Sequence, residues 1–185
     1  TTPRVPAGTY KVVLNKGKET YAHEFELQYD PSSLLSPEER IRMQNTIMKL
    51  YNMTQELAYL VYEIDEMVTV AETLKKENPK AVKSATALIN DLNALKKTLV
   101  ITTGDNYVGS AEPQLREKLA NLYSKVASGY TVPSPSEMDN LQVIEEQFNK
   151  GKADLEKIRS KRWSNVARYL KTPFELKSYE AFLED

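Results

Sequence analysis

Cysteine is absent from this 185-residue chain, and histidine occurs only once, as His23. Without cysteine the chain can form neither a disulfide framework nor a reactive thiolate, and its redox compartment stays open. One histidine without cysteine also excludes the usual zinc sites and the Ser-His and Cys-His triads. We therefore expect no catalytic group, no metal and no cofactor site in this chain.

The sequence also lacks an excess of charge of either sign. Its 25 basic residues nearly balance its 26 acidic ones, whereas binding to nucleic acid or an anionic membrane needs clustered positive charge. No apolar run approaches the roughly 18 residues that span a bilayer. We therefore expect neither a nucleic-acid partner nor a membrane span.

Residues 1–31 have the pattern of a β-hairpin. Apolar and polar side chains alternate with period two on both sides of Gly17, and glycine can adopt the positive φ that a tight turn needs. His23 falls on the apolar face, where a packed histidine is the ordinary finding. That face is the candidate interaction surface, and its residues are Tyr10, Val12, Leu14, Tyr21, Phe25 and Leu27.

A lone two-stranded hairpin is marginal in water, so its apolar face is expected to be covered. Three arrangements are open: the hairpin docks on the helices, pairs with another chain, or is the end of a larger β-domain. In the third, residues 1–31 are the last strands of a truncated immunoglobulin-like sandwich. The expected partner is therefore the rest of a parent protein or another protein chain, with a homodimer as one form of the latter.

Residues 32–185 are predicted to form a helical bundle, so the chain is expected to be mainly α. Ser36 and Ser134 each precede a proline and stand three residues before a glutamate, which is the pattern of a capping box with proline at the first helical position. Apolar residues recur at 3-4 spacing in four segments. These segments are 37–77, 79–101, 114–128 and 135–170, and the tail after Pro173 has enough apolar residues for a short docking helix.

The helix lengths allow two geometries. The first and fourth helices are each about 40 residues long, and the second and third together match either of them. One solution is a long three-helix bundle whose middle layer is broken at 102–112, and the other is an up-down four-helix bundle with uneven helices. We favour the first.

The helical pattern is interrupted at two places. The apolar seam of the fourth helix runs as far as Ile158, skips its register and resumes at Trp163. Between the second and third helices, residues 104–109 are too short and misordered for a calcium or phosphate loop, and they are predicted to form a structural turn.

Two groups of charged residues are predicted to be solvated rather than functional. A carboxylate-bridged metal pair in a bundle needs inward Glu-x-x-His pairs, and no predicted helix carries a histidine. A cationic and aromatic cluster can hold single-stranded nucleic acid, but in a neutral chain we expect Trp163 to pack inward. The residues concerned are Glu56, Glu63, Glu66, Glu145 and Glu146 in the first group and Lys157, Arg159, Lys161 and Arg162 in the second.

The segments VPAGTYKVVLN, YAHEFELQYDP, LSPEER and YVGSAEPQLREKLANLYSKV resemble the C-terminal region of bacterial proteins with BNR-type, sialidase- or sortilin-like β-propellers. In that family a Pro-Gly-Thr-Tyr strand and its partner end an immunoglobulin-like sandwich, and a helical segment follows. The propeller and the earlier sandwich strands are not in this sequence, so the resemblance carries no catalytic residue to any position here. Because the family is mostly exported, the resemblance implies a periplasmic or extracellular location.

Two functional hypotheses follow. The first is a non-catalytic C-terminal helical accessory domain of a larger exported propeller protein, used for packing, spacing or partner contact. The alternative is a free-standing helical adaptor or coiled-coil oligomerisation module. An enzyme in its own right is disfavoured, because no catalytic constellation is present in the sequence.

The composition predicts that this chain turns over no sialidase or glycosidase substrate and purifies without stoichiometric metal. Fluorogenic glycoside assays and elemental analysis of the purified chain would measure both properties, with an active sialidase in the same plate as the positive control. Turnover that survives further purification, or one equivalent of a transition metal, would contradict the prediction.

Overall fold

The computed structural model of the chain describes residues 2–102 and 112–184. The turn predicted at 104–109 lies outside these residues. Within them the fold is mainly α with an N-terminal two-stranded hairpin, as the sequence predicts. The elements in chain order are β1 (Gly8–Lys16), β2 (Glu19–Leu27), α1 (Pro37–Glu77), α2 (Val82–Leu99), α3 (Leu115–Ser128), α4 (Pro135–Ile158), a π-helical segment (Arg159–Trp163), α5 (Ser164–Ala167) and α6 (Tyr179–Leu183).

The helices form a long three-helix bundle with a divided middle layer. Helix α1 packs against α2 and α3, and α4 packs against the same two helices. Helix α2 runs back along the second half of α1, where Lys96 pairs with Asp65, and α3 continues along the first half, where the rings of Tyr51 and Tyr123 meet. The three-layer geometry favoured from the helix lengths is therefore the one observed.

The core follows an uninterrupted 3-4 repeat along α1. This spacing keeps one seam facing its neighbours when helices supercoil. Val61 and Val68 fit the 3-4 spacing of the sequence equally well, but they are only half-buried beside this seam. The buried seam consists of Leu50, Met53, Leu57, Leu60, Ile64, Met67, Ala71 and Leu74.

A ladder of three ion pairs joins α1 to α4 and to the first residue of the π-helical segment that continues it. Lys49 lies 2.6 Å from Glu145, Glu56 lies 3.2 Å from Lys152, and Glu63 lies 2.8 Å from Arg159. The partners advance by seven residues in both helices, so α1 and α4 run parallel and keep one heptad register. Exposed pairs of this kind contribute little stability individually, and their main effect is to fix the register.

Local signals set most helix starts correctly. Both predicted capping boxes form: the Ser36 and Ser134 hydroxyls accept from the backbone N–H groups of Glu39 and Glu137, whose carboxylates accept in return. Helix α2 differs from the prediction, since it begins at Val82 rather than near 79. The Asn78 side chain accepts from the Lys80 N–H and closes a turn instead of capping the helix.

The register skip in the fourth helix corresponds to a π-helical segment. Regular 3-4 spacing after Ile158 would place the next seam residue at 162, whereas the packed residue is Trp163. A π turn accommodates one extra residue through i→i+5 hydrogen bonding, and the π-helical segment at Arg159–Trp163 lies at this point. The seam then continues at Val166 and Leu170.

The C-terminal tail forms the predicted short docking helix, and the structure shows that it packs on α1. The Phe174 ring lies 4.8 Å from Trp163, which is thus packed inward. Further along, the Tyr59 hydroxyl donates to the Lys177 carbonyl at 2.8 Å, and the Phe182 ring of α6 lies 5.4 Å from the Tyr59 ring. The burial of Tyr59 by this tail raises the pKa of its hydroxyl.

A glycine is required where the three layers meet. A Cβ at Gly151 of α4 would lie 2.8 Å from Leu99 Cδ2 and 3.8 Å from Leu60 Cδ2. Since these leucines are themselves buried, they have little room to move. The closest approach of the helices therefore depends on the missing side chain.

We expect Gly151→Leu to lower the free energy of unfolding by about 1–3 kcal/mol or more, because it overpacks a filled seam. Ala153→Leu is the matched control: it adds a leucine two residues away on the exposed side of the same helix and is expected to stay within about 0.5 kcal/mol of the parent. Urea unfolding followed by circular dichroism would measure both. Equal stability of the two variants would show that the seam has spare volume at this position.

We expect deletion of Ser160 to be tolerated within about 1 kcal/mol, because removing the extra residue converts the π turn to α-helix and leaves the seam in register. Deletion of Glu146, which is exposed but lies inside the regular seam, displaces the following apolar residues and is expected to cost several kcal/mol. Thermal unfolding compares the two deletions. A severe loss with the Ser160 deletion would contradict the role assigned to the π segment.

Candidate interaction surface

The hairpin brings all six predicted surface residues onto one face. Residues directly opposite each other in an antiparallel pair point to the same side. Tyr10 pairs with Phe25, Leu14 pairs with Tyr21, and Leu27 lies at the end of the same row opposite Gly8. His23 lies opposite Val12 in the middle of that row. We call this the hairpin face.

The turn that fixes this register has two central residues, Gly17 and Lys18, between the paired residues Lys16 and Glu19. Gly17 has φ of +62°, while Lys18 has no positive φ, which is the pattern of a type II′ turn. Such turns match the twist of the flanking strands. A side chain at position 17 would be strained because of that backbone conformation.

Aromatic contacts order the hairpin face from within. The Tyr10 and Phe25 rings stack with their centroids 6.0 Å apart, and the Tyr10 hydroxyl donates to the Pro6 carbonyl at 2.6 Å. At the other end, the Tyr21 hydroxyl donates to the Glu19 carboxylate at 2.8 Å, and this interaction raises the pKa of the Tyr21 hydroxyl. The aromatic hydroxyl groups are therefore satisfied locally, and the rings present apolar surface.

The opposite face of the hairpin is mainly polar, with the pair Val13 and Ala22 as its apolar members. Lys11 lies across from Glu24, and Thr9 across from Glu26. An opposite-charge pair placed directly across two strands is favourable on a solvated face. The sheet is therefore amphipathic, with one side suited to water and one suited to burial.

The helices of this chain do not cover the hairpin face. Leu14 remains 60% exposed, and Val12, Tyr21 and Phe25 are also exposed, whereas Tyr10 and Leu27 are half-buried. Among the described residues the sheet has two strands, so each strand has one edge without a β partner. Docking on the helices, the first of the three arrangements, is therefore not adopted, and the other two remain.

The residues that flank the strands attach the hairpin to the bundle. The Gln44 side chain donates to the Arg4 carbonyl at 2.7 Å, and the Arg4 guanidinium lies 5.5 Å from the centre of the Tyr130 ring. On the other side, the Arg40 guanidinium lies 4.4 Å from the Tyr29 ring centre. The hairpin thus sits at the end of the bundle where α1 and α4 begin.

An apolar recess lies at the same end, and the sequence reasoning missed it. It encloses about 420 Å³ between the first turns of α1 and α4, and Ile41, Met138 and Leu141 supply its apolar lining. Ile41 and Met138 are exposed. The sequence does contain one indication of this groove. Ile41 is an apolar residue in the otherwise polar first turn of α1, before the buried seam begins. We call this recess the bundle-end groove.

The carboxylates considered for metal binding have other roles. Glu56, Glu63 and Glu145 are partners in the ion-pair ladder rather than solvated groups, and the Glu63 side chain is only 14% exposed. Across the two described stretches, no group of His, Asp and Glu residues is placed to hold a metal ion. Nor does any helix in those stretches have the length and apolarity to cross a membrane.

Comparisons with family models, with curated proteins and with solved structures found no match to this chain.

The exposure of the hairpin predicts that its amides exchange faster than those of the buried middle layer. We expect exchange in residues 9–27 to exceed that in residues 85–99, because strands with two open edges and an uncovered face open at low cost. Hydrogen–deuterium exchange on a chain shown by sedimentation to be monomeric would measure this. If the hairpin amides instead exchange more slowly than those of α2, the strands belong to the cooperatively folded core.

Proposed function

We propose that this chain is a non-catalytic helical accessory domain of a larger exported protein, and that the hairpin is the element through which it joins the rest of that protein. The observation that carries the proposal is the contrast between the two parts of the chain. The bundle buries its own apolar seams, whereas the hairpin face stays open beside it. On this proposal the hairpin face packs against strands of an immunoglobulin-like sandwich that precedes it in the same polypeptide.

Burial of the hairpin face against a permanent partner is energetically favoured over its exposure to water. Covering about 200 Å² of apolar surface on the hairpin face would contribute about 5 kcal/mol at the usual coefficient. That gain is large compared with the marginal stability of an isolated hairpin. An uncovered face with two open strand edges would also promote association.

The polarity of the two faces supports a sandwich layer as the cover. Strands of a β-sandwich alternate between residues that point into the core and polar residues that point outward. The apolar row of Tyr10 and Leu14 and the outward pairs such as Lys11 and Glu24 follow that alternation. The resemblance of the same strands to the end of such a sandwich points in the same direction.

The alternative, a coiled-coil oligomerisation module, has less support. The heptad seams of α1, α2 and α4 are buried against one another within a single chain. A coiled-coil partner needs a continuous apolar seam of its own. Oligomerisation would therefore have to use the hairpin or the bundle-end groove, and the experiment below includes that outcome.

The test uses two neighbouring hairpin residues of similar exposure that point to opposite faces. Leu14 is 60% exposed on the hairpin face, and Val13 is 50% exposed on the polar face. The segment encoded upstream in the same reading frame is expressed separately, and its binding to the parent chain, Leu14→Glu and Val13→Glu is measured by calorimetry. We expect binding by the parent and by Val13→Glu, and weakening by about tenfold or more in Leu14→Glu, since burying an unpaired carboxylate is costly.

Three outcomes would overturn the proposal. One is a reading frame that encodes no β-domain before this chain, and another is equal binding by the two variants. The third is a micromolar dimer of the chain alone that Leu14→Glu dissociates, which would establish self-association through the hairpin instead. Sedimentation of all three chains at several concentrations distinguishes that case.

A further inference from the structure

A recess of about 290 Å³ lies at the end of the bundle farthest from the hairpin, between the start of α2 and the residues around α5. Its lining contains four cationic side chains, Lys80, Lys83, Arg162 and Arg168, and no described acidic residue. Such a concentration is unusual in a chain whose total charges nearly cancel. We call this site the basic recess.

The two lysines of the basic recess have no ionic partner. Neither Lys80 nor Lys83 forms an ion pair through its ammonium group within the described part of the chain. Other lysines of the bundle do have such partners: Lys96 pairs with Asp65, and Lys152 pairs with Glu56. The positive charge of the recess is therefore uncompensated at the position where α2 begins.

The two arginines are held in place by neighbouring groups. Arg162, which belongs to the π-helical segment, donates from Nε to Asp91 at 2.7 Å, and this bond occupies one of its five N–H donors. Arg168 lies with its guanidinium carbon 4.9 Å from the Tyr169 ring centre and donates to the Tyr169 hydroxyl at 3.2 Å. The recess therefore has fixed guanidinium donors beside free ammonium groups.

Neutral donors complete the lining. Ser84 in the first turn of α2, Asn165 of α5 and Tyr169 contribute hydroxyl or amide groups. Helix α2 has no side-chain N-cap, so the positive end of its dipole adds to the potential of the four cations. Cations in a fixed fork, together with hydroxyl donors, suit a tetrahedral oxyanion better than a planar or neutral ligand.

We propose that the basic recess binds a phosphate group. Its volume accommodates a phosphate or pyrophosphate moiety. A dianion would relieve the mutual repulsion among the cations, of which Arg162 is already paired with Asp91. A nucleic-acid strand is disfavoured, because stacking needs an available aromatic ring. Trp163 is packed against Phe174, and the Arg168 guanidinium lies against the Tyr169 ring. The inference is independent of the proposed function, since the recess is remote from the hairpin.

The phosphate group can belong to a soluble molecule or to a lipid headgroup, and two arms of one experiment distinguish these sources. The first arm titrates the full chain with inorganic pyrophosphate at low ionic strength and follows backbone amide shifts by NMR. The second arm measures co-flotation with phosphatidic acid vesicles, with phosphatidylcholine vesicles as the reference. Both arms compare the parent chain with Lys80→Gln/Lys83→Gln and with Lys97→Gln/Lys125→Gln, which removes the same charge from exposed sites elsewhere on α2 and α3.

We expect pyrophosphate to shift the amides of Lys83, Ser84 and Asn165, and the Lys80→Gln/Lys83→Gln variant to weaken binding about tenfold or more. The control variant should bind like the parent, and about 0.5 M salt should weaken all three. Flotation by phosphatidic acid alone would assign the lipid source. No binding in either arm, or equal loss in both double variants, would overturn the proposal.

Discussion

The structure depends on the uninterrupted heptad seam of α1. Because buried residues recur at 3-4 spacing from Leu50 to Leu74, this helix presents one continuous apolar stripe to its neighbours. The divided middle layer, α2 and α3, packs against that stripe. The fourth helical segment then packs parallel to α1. In each pair of the ion-pair ladder, the two partners are separated by 96 positions in the sequence. Gly151 permits the close contact at the point where α1, α2 and α4 meet.

The π-helical segment is a consequence of that seam rather than a defect in it. The residues up to Ile158 and those from Trp163 onward both face the core, yet the chain between them has one residue too many for α-helical spacing. Widening one turn is less costly than rotating either half of the helix out of register. Within the π-helical segment, Arg162 lies beside Asp91 of α2. Arg159, its first residue, keeps the heptad spacing of α4 and pairs with Glu63 of α1.

Features that depend on close neighbours in sequence could be predicted. The capping boxes at Ser36 and Ser134, the apolar face of the hairpin and the register skip at Trp163 each require information from only a few consecutive residues. The three-layer geometry followed from helix lengths, because a broken middle layer was the way to match two long helices.

Features set by distant packing could not be predicted. Whether Leu60 or Val61 belongs to the seam depends on which side of α1 the middle layer occupies. The ion-pair ladder, the bundle-end groove and the basic recess all join residues that the chain separates by tens of positions. The start of α2 was misplaced for a different reason, since the Asn78 side chain bonds to Lys80 within a turn and does not cap the helix.

The two parts of the chain satisfy their polar and apolar groups in different ways. The bundle buries its main apolar seams within itself, and several of its charges pair across layers. The two faces of the hairpin differ. Lys11 and Glu24 suit one face to water, whereas the apolar row on the other face has no cover among the described residues. A cover that enclosed both faces would have to bury those charges, which is costly. On the proposed function, the cover of the hairpin is therefore a single apolar layer on one side, and this requirement would constrain the geometry of a partner more closely than the bundle does.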